Sequence, residues 1–361
     1  MKKAICRTAA LFLAAVLLFP MRAEAVSARK GIVLDGLTGE VLWERRADEK
    51  SLIASTTKIL TALVVCRSCN VLEPVKIPKE AVGIEGSSMY LREGEVLTVQ
   101  ELLYGLMLRS GNDAAAALAI HCGGSIEGFA RMMNEEAARL GLRGSHFSNP
   151  HGLDAPDHYG TARDLAVLAA EAMKNPIFAR TVSAKTVRIG ERVLTNHNKL
   201  LWRLDGAEGV KTGYTKAAGR LLVSSCMRQG RRLICVTVDA PDDWNDHICL
   251  LNRAFARFRR TEILRSGQQL GRLSVIGGTA PEVRLLAGED FVFPLAEDEE
   301  IRLLLPERTF CFAPVRKMDP AGQAAVYLGE AEIGRIPVVF GDSVGQKKEK
   351  PAPLWRRIFG G

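Results

Sequence analysis

Three short stretches of this sequence carry residue types that do chemistry together. Ser55-Thr56-Thr57-Lys58 sets a hydroxyl and an amine three positions apart. On a helix that opens at Ser55, three positions is close to one turn, so both side chains share a face. The helix N-terminus adds partial positive charge beside the hydroxyl. A neutral lysine amine within hydrogen-bond reach is a base for a serine nucleophile. Alone the pattern is common, and a solvated lysine is its ordinary reading. Ser110-Gly111-Asn112 puts a hydroxyl and an amide at a break between two helices. There Asn orients an amine or a substrate amide and Ser relays a proton, although all three residues also favour plain turns. Lys211-Thr212-Gly213 sits in a strand pattern. A glycine there lets a second backbone lie close, while Lys and Thr offer a cation and a hydroxyl to a carboxylate.

Other constellations are weaker. The sequence has no H-E-x-x-H, no P-loop and no G-x-G-x-x-G, and its histidines never stand at i, i+4, so a helical zinc site is unsupported. His146, His151 and His158 share one loop and read as loop polars rather than metal ligands. Gly341-Asp342-Ser343-Val344-Gly345 has the G-x-S-x-G form. A nucleophile elbow must lead into a helix and needs a later histidine. Here Gln-Lys-Lys-Glu-Lys-Pro follows, and no histidine comes after His247, so the segment reads as a turn. Cys66 and Cys69 form a lone C-x-x-C without a second pair to complete a zinc set. The cysteines read as small core residues, with room for one local disulfide. No metal or cofactor is indicated.

The elements that must position the three stretches follow from pattern. Lys30–Asp35 and Val41–Arg45 read as strands around the turn Gly36-Leu37-Thr38-Gly39. A helix begins near Ser55, with Ile59, Leu60, Leu63 and Val64 at helical spacing. Thr98-Val99-Gln100-Glu101 is a capping box, and its helix must stop near Ser110. An alanine-rich helix runs from Asp113 to about His121, and another from Ile126 to about Leu140 before Gly141. Thr161 caps one more. Strands then dominate: Gly209–Gly213, Leu221–Ser225 and Arg232–Asp239. Trp244, Ile248, Leu251, Phe255 and Phe258 mark a long amphipathic helix. Strands open and close this unit and helices fill its middle, so the terminal strands should share one sheet in an α+β domain. After about Arg265, short strand-like runs alternate with Gly, Pro and acidic turns, which suggests a small all-β domain.

Length and charge set the outer bounds. The 361 residues fit two domains at ~150 residues each, with a tail. The net charge is +8, but most of the excess lies in two terminal segments rather than on a folded face, which argues against nucleic acid. Residues 1–25 read as a signal peptide: Lys2, Lys3 and Arg7, then an apolar run to Phe19, then Ala23-Glu24-Ala25. That run is shorter than the ~20 residues of a membrane span. The expected organisation is therefore a leader over 1–25, a catalytic domain over 26–262, an all-β domain over 263–341 and a basic tail over 342–361. In the tail, Leu354, Trp355, Ile358 and Phe359 fall on one helical face among basic residues, which suggests weak peripheral contact with anionic membrane.

Taken together and in order, the three stretches resemble the motif set of the penicilloyl serine transferases, the superfamily of penicillin-binding proteins and serine β-lactamases. The gaps of 52 residues from Lys58 to Ser110 and 99 from Asn112 to Lys211 fit a helical insert between parts of one sheet. Ala54–Thr61, Arg109–Ala114, Asn149–Leu153 and Gly209–Thr215 resemble the low-molecular-weight serine-type D-Ala-D-Ala carboxypeptidases. Asn196–Lys199 and Asp243–His247 are similar to sporulation-associated members. The resemblance covers about residues 26–260, while the β region matches the family's second domain in position and texture only.

The resemblance implies the penicillin-binding-protein and serine β-lactamase fold, an antiparallel sheet with a helical cluster. It implies that Ser55 is the acyl-ester nucleophile and Lys58 its base. Ser110 and Asn112 then line the cleft from the helical side. Lys211 and Thr212 hold the peptide's terminal carboxylate beside Gly213, and the backbone N–H groups of Ser55 and Tyr214 form the oxyanion hole. Lys58 must be neutral to act, so its pKa must fall from ~10.4 to roughly 7–8 through burial and the charge of Lys211. The implied activity is that of an exported carboxypeptidase at the outer face of the cytoplasmic membrane. It trims peptidoglycan stem peptides ending in D-Ala-D-Ala and is blocked covalently by β-lactams. Ile53 stands where many relatives have proline. The loop Ser145–Gly160 holds no Glu, which disfavours rapid β-lactam hydrolysis. The alternatives are a transpeptidase, in which an amine replaces water, and a silent peptidoglycan-binding protein.

Overall fold

The computed structural model describes residues 26–348. Residues 1–25, read from sequence as a signal peptide, and the tail beyond residue 348 lie outside the described residues. The chain divides into two compact units. The first takes the chain up to Leu34, then Val41–Cys226 and Leu233–Ala254. The second takes Asp35–Glu40, Met227–Arg232 and the chain from Phe255 onward.

The first unit opens with β1 (Lys30–Asp35) and β2 (Val41–Arg45), antiparallel across the glycine-flanked turn. Next comes a 3-10 turn over Ala54–Thr57 and then α1 (Lys58–Ser68). The sequence suggests an α-helix from Ser55, but the first turn is tighter. The Thr56 and Thr57 hydroxyls donate back to the carbonyls of Ile53 and Ala54, at 2.5 and 2.8 Å. Such local bonds compete with the α-helical ladder. The α1 residues from Lys58 to Val65 are all buried, so α1 runs through the core.

A ribbon of β3 (Pro74–Lys76) and β4 (Val96–Thr98) leads into α2 (Val99–Leu108). The capping box forms: Thr98 Oγ1 accepts from Glu101 N, and a Glu101 carboxylate oxygen accepts from Thr98 N at 2.7 Å. The next helix, α3 (Asn112–Gly123), has a run of alanines from 114 to 117 with no exposed surface, which lets its neighbours approach closely. Then come α4 (Ile126–Arg139), α5 (Ala162–Ala172) and α6 (Pro176–Ser183). A second ribbon, β5 (Thr186–Ile189) with β6 (Arg192–Thr195), precedes the one-turn α7 (Leu200–Arg203). The unit closes with β7 (Ala207–Thr215), β8 (Gly219–Arg228), β9 (Arg231–Val238) and α8 (Asp243–Phe255). The sheet order is β2-β1-β9-β8-β7, so the first and last strands do share one sheet. The amphipathic helix stops at Phe255 instead of reaching Phe258, because the chain turns into a strand at Arg259.

The cysteines depart from expectation. Cys69 is disulfide-bonded to Cys122, not to Cys66, and joins the residue after α1 to the last turn of α3. Cys66 faces the core, and burial pushes its thiol pKa up to about 12.

In the second unit, β10 (Arg259–Leu264) will pair with β13 (Phe291–Leu295). The other strands are β11 (Gln269–Ile276), β12 (Glu282–Ala287), β14 (Ile301–Leu304), β15 (Phe310–Phe312), β16 (Pro320–Leu328) and β17 (Ala331–Phe340). They form a six-stranded sheet in the order β14-β16-β17-β12-β11-β15. Its core includes Leu273, Val283, Leu285, Ile336 and Val338. Ser343, from the G-x-S-x-G segment, accepts a backbone hydrogen bond from Lys317 at 2.9 Å, and Val344 bridges to Val315. That segment is a turn, as its sequence suggests. Among the described residues no helix is long and apolar enough to cross a membrane.

Candidate active site

The site grows from the tight turn ahead of α1. Ala54 adopts a positive φ of 44°, which turns the chain sharply just before Ser55. Lys58 begins α1 and is fully buried, and its Nζ lies 2.9 Å from Ser55 Oγ. The same nitrogen lies 2.7 Å from Asn112 Oδ1 and 2.6 Å from the His151 carbonyl. Burial drives the Lys58 pKa well below the ordinary lysine value; the nearby charge of Lys211 pushes it the same way, and Asp113 opposes both.

Ser110 and Asn112 come from the break between α2 and α3. Ser110 takes a positive φ of 59°, and Gly111 N donates to Gly105 O at 3.1 Å, which closes the end of α2. Asn112 also donates from Nδ2 to the Glu85 carbonyl at 2.5 Å. Its neighbour Asp113 accepts from Ser88 Oγ at 2.6 Å and from the backbone of Met89 and Leu91 at 3.1 Å. These bonds fasten the loop over 85–91 beside the site.

Strand β7 supplies Lys211, Thr212, Gly213 and Tyr214. Lys211 is buried, its Nζ donates to the Thr212 carbonyl at 2.9 Å, and burial lowers its pKa to about 7. A Cβ on Gly213 would stand 3.3 Å from Thr56 N and 3.4 Å from Ala54 Cβ. Glycine thus lets the strand run tight against the turn that carries Ser55.

The loop over 145–160 braces that turn from the other side. Gly152 packs on the Ala54 carbonyl, where a Cβ would be 1.8 Å from the oxygen. His158 is buried, with Nε2 2.7 Å from Thr57 Oγ1 and Nδ1 3.1 Å from Ser148 N. Since the Thr57 hydroxyl donates to Ala54 O, it must accept from His158, which assigns the proton to Nε2. Burial holds the His158 pKa down at about 4. His151 is likewise lowered to about 4, by burial and then by Lys58.

A cavity of about 370 Å³ opens on this cluster. Ser55, Ser110, Thr212, Gly213 and Tyr214 line it, so the three motifs converge on one space. Lys58, Asn112 and Lys211 sit behind them. Other lining residues lie outside the motifs: Ser87, His197, Lys199, Arg220, Asp243 and Trp244. Arg220 was legible in principle, because pairing β7 with β8 sets it opposite Tyr214. Asp243 and Trp244 had only a resemblance to mark them. Among the described residues no group of three or more His, Cys, Asp or Glu is placed to hold a metal.

A serine and a lysine amine in contact, a second lysine behind a glycine-bearing strand and an antiparallel sheet with a helical cluster define a serine acyl-transfer enzyme. The family model described as D-alanyl-D-alanine carboxypeptidase matches residues 19–242, and the chain belongs to that family. It is 33% identical over 346 residues to D-alanyl-D-alanine carboxypeptidase DacC of Escherichia coli, covering 90% of this chain and 86% of that protein. It is 29% identical over 330 residues to DacF of Bacillus subtilis, covering 87% and 85%. Among solved structures, penicillin binding protein 5 from Haemophilus influenzae matches with a TM-score of 0.64 at 28% identity, covering 89% of this chain and 98% of that one. The Streptomyces K15 DD-transpeptidase matches with a TM-score of 0.62 at 34% identity, covering 64% and 98%.

Proposed function

We propose that this protein removes the terminal D-Ala from peptidoglycan stem peptides through an acyl-enzyme on Ser55, as a penicillin-sensitive serine carboxypeptidase. The observation that carries the reading is the triple contact of Lys58 Nζ with Ser55 Oγ, Asn112 Oδ1 and the His151 carbonyl. A neutral amine has two N–H groups and one lone pair. Asn112 and His151 accept the two N–H bonds, which aims the lone pair at the Ser55 hydroxyl. Ser55 attacks the D-Ala-D-Ala carbonyl while Lys58 takes its proton. The backbone N–H groups of Ser55 and Tyr214 receive the oxyanion, and Ser110 passes a proton to the leaving amine. Lys211 and Thr212 hold the terminal carboxylate. Free D-Ala leaves, and water resolves the ester.

The same reading makes residues 1–25 an export signal cleaved after Ala25, 26–262 the catalytic domain and 263–341 an accessory β domain. Residues 342–361 then form a linker with weak contact to anionic membrane, which places the enzyme on the outer face of the cytoplasmic membrane. Deleting residues 346–361 should release the protein from the membrane fraction; unchanged fractionation would remove that part of the reading. The activity is tested with a fluorescent penicillin, which should label the protein but not Ser55→Ala, and by release of D-Ala from a pentapeptide. Labelling of Ser55→Ala would move the nucleophile elsewhere.

A further inference from the structure

The second unit exposes an apolar face at the place where its chain departs. Strand β15 lies at one edge of the six-stranded sheet, beside β11 and parallel to it. In their register Phe312 stands opposite Ile276, and Cys311 opposite Val275. Side chains alternate along a strand, so Cys311 and Val275 turn to the core while Phe310, Phe312 and Ile276 share the other face. Those three are 45%, 67% and 47% exposed, although each is a large apolar side chain. The two phenyl rings meet edge to face, with centroids 5.4 Å apart. A contiguous exposed patch of this kind marks a surface that meets something apolar.

The chain leaves the fold beside that face. Gln346 bridges to Gly278, and Lys347 N donates to Gly277 O at 2.8 Å, one residue from Ile276. The segment over 313–317 runs alongside: Ala313 N donates to Ile276 O at 3.0 Å, and Val315 bridges to Val344. Exposed basic side chains collect in these stretches. They are Arg308, Arg316, Lys317, Lys347 and Lys348, and they outnumber the acids Glu307 and Asp319. Aromatic and aliphatic side chains ringed by cations suit the interface of an anionic bilayer, where the rings enter the headgroup layer and the cations meet lipid phosphates. Residues 349–361 are a poor cover for the face, because they too carry a net positive charge. A single weak anchor holds a protein at a membrane only reversibly, and stable attachment takes a second signal.

We infer that the face formed by Phe310, Phe312 and Ile276, with the basic residues around it, docks on an anionic lipid bilayer. This rests on the membrane contact proposed above for the tail and assigns part of that contact to the folded β domain.

The test measures co-sedimentation of the purified protein with vesicles of phosphatidylglycerol and phosphatidylcholine, and with vesicles of phosphatidylcholine alone. The wild type should bind the mixed vesicles about 10-fold or more tightly than the neutral ones. Phe310→Ser with Phe312→Ser should weaken binding to the mixed vesicles roughly 10- to 100-fold, the loss expected for two partly buried rings. Deleting residues 349–361 should leave a weaker binding that the two serines then remove. Binding by the serine pair equal to that of the wild type overturns the proposal. If the same deletion also abolishes binding, the tail reading stands alone. A tail folded over the face would instead make the serine pair bind more tightly. A second copy on the face would make the wild type a dimer and the serine pair a monomer, with vesicle binding unchanged. Either result overturns the proposal. Phe312→Trp reports the contact without emptying the face: bromine-labelled lipid should quench more of its fluorescence than of the wild type's, and equal quenching counts against lipid at this position. No binding of the wild type to either vesicle would defeat the membrane contact altogether, tail included.

Discussion

His158 Nε2 lies 2.7 Å from Thr57 Oγ1, so a histidine 101 positions further along the chain fixes the turn that carries Ser55. The relay runs from Ser148 N to the ring, from the ring to the Thr57 hydroxyl and from there to the Ala54 carbonyl. It works only while the ring is neutral, because a proton on Nδ1 would face the Ser148 N–H. The unfolded chain takes up that proton near 6.5 and the folded protein at about 4. Between those values the unfolded state binds more protons, so stability falls as pH drops. The stabilisation is complete above about pH 6.5 and gone below about 4, and it amounts to about 3 kcal/mol. His158→Gln should therefore lose less urea stability between pH 7 and 4.5 than the wild type does. An equal drop in both would show that the ring does not carry this linkage.

The two lysines give a second expectation. In the proposed mechanism Lys58 acts as a neutral amine, so acylation is expected above its folded pKa and lost as pH falls through it. The Lys211 charge helps keep that pKa low. Lys211→Ala should move the acid limb of the rate profile to higher pH and slow acylation at pH 7. Using a penicillin methyl ester keeps carboxylate recognition out of the measurement. Lys58→Ala should be slower by about 10²- to 10⁴-fold across the profile. An acid limb that stays in place in Lys211→Ala would mean that burial alone sets the Lys58 pKa.

Two glycines with similar backbones should respond differently to alanine. Gly152 has φ +86° and no room, since its Cβ would meet the Ala54 carbonyl carbon at 2.4 Å as well as its oxygen. Gly141 has φ +73° and open space around it. Gly141→Ala should cost about 1 kcal/mol, the left-handed penalty alone. Gly152→Ala adds a backbone clash and should cost roughly 3 kcal/mol or more. It should also slow acylation, because the displaced carbonyl belongs to the residue before Ser55. Urea unfolding with an acylation assay separates the two; equal costs would count against a tight brace.

What the sequence revealed was mostly local. Lys30–Asp35 and Val41–Arg45 have the strand bounds read from their pattern, and Thr98 with Glu101 forms the capping box that its spacing announces. The contact of Ser55 with Lys58 follows from three positions in one turn. The rest depends on partners far along the chain. Nothing near Thr57 signals His158, and nothing near Arg220 signals Asp243, because each pair meets only after the helices pack on the sheet. The C-x-x-C spacing left a local bridge at Cys69 open, whereas the fold brings Cys122 to it.

The disulfide between Cys69 and Cys122 ties the far ends of two helices whose near ends already meet. Lys58 opens α1, Asn112 opens α3, and their side chains are 2.7 Å apart. The linked residues are 53 positions apart. In the chain-entropy account, closing a loop of that size stabilises the fold by about 4 kcal/mol, chiefly by restricting the unfolded chain. The double variant Cys69→Ala with Cys122→Ala should therefore lose much of its urea stability. Its acylation rate at 25 °C should stay within about threefold of the wild type, because the folded site keeps the Lys58–Asn112 contact and the main change lies in the unfolded state. Alkylation of the denatured, unreduced protein should modify Cys66, Cys226, Cys235, Cys249 and Cys311 and spare the pair. Labelling of Cys69 and Cys122 under those conditions would rule out the bridge. A fall in acylation as steep as the fall in stability would show that the bridge positions the site as well as restraining the chain.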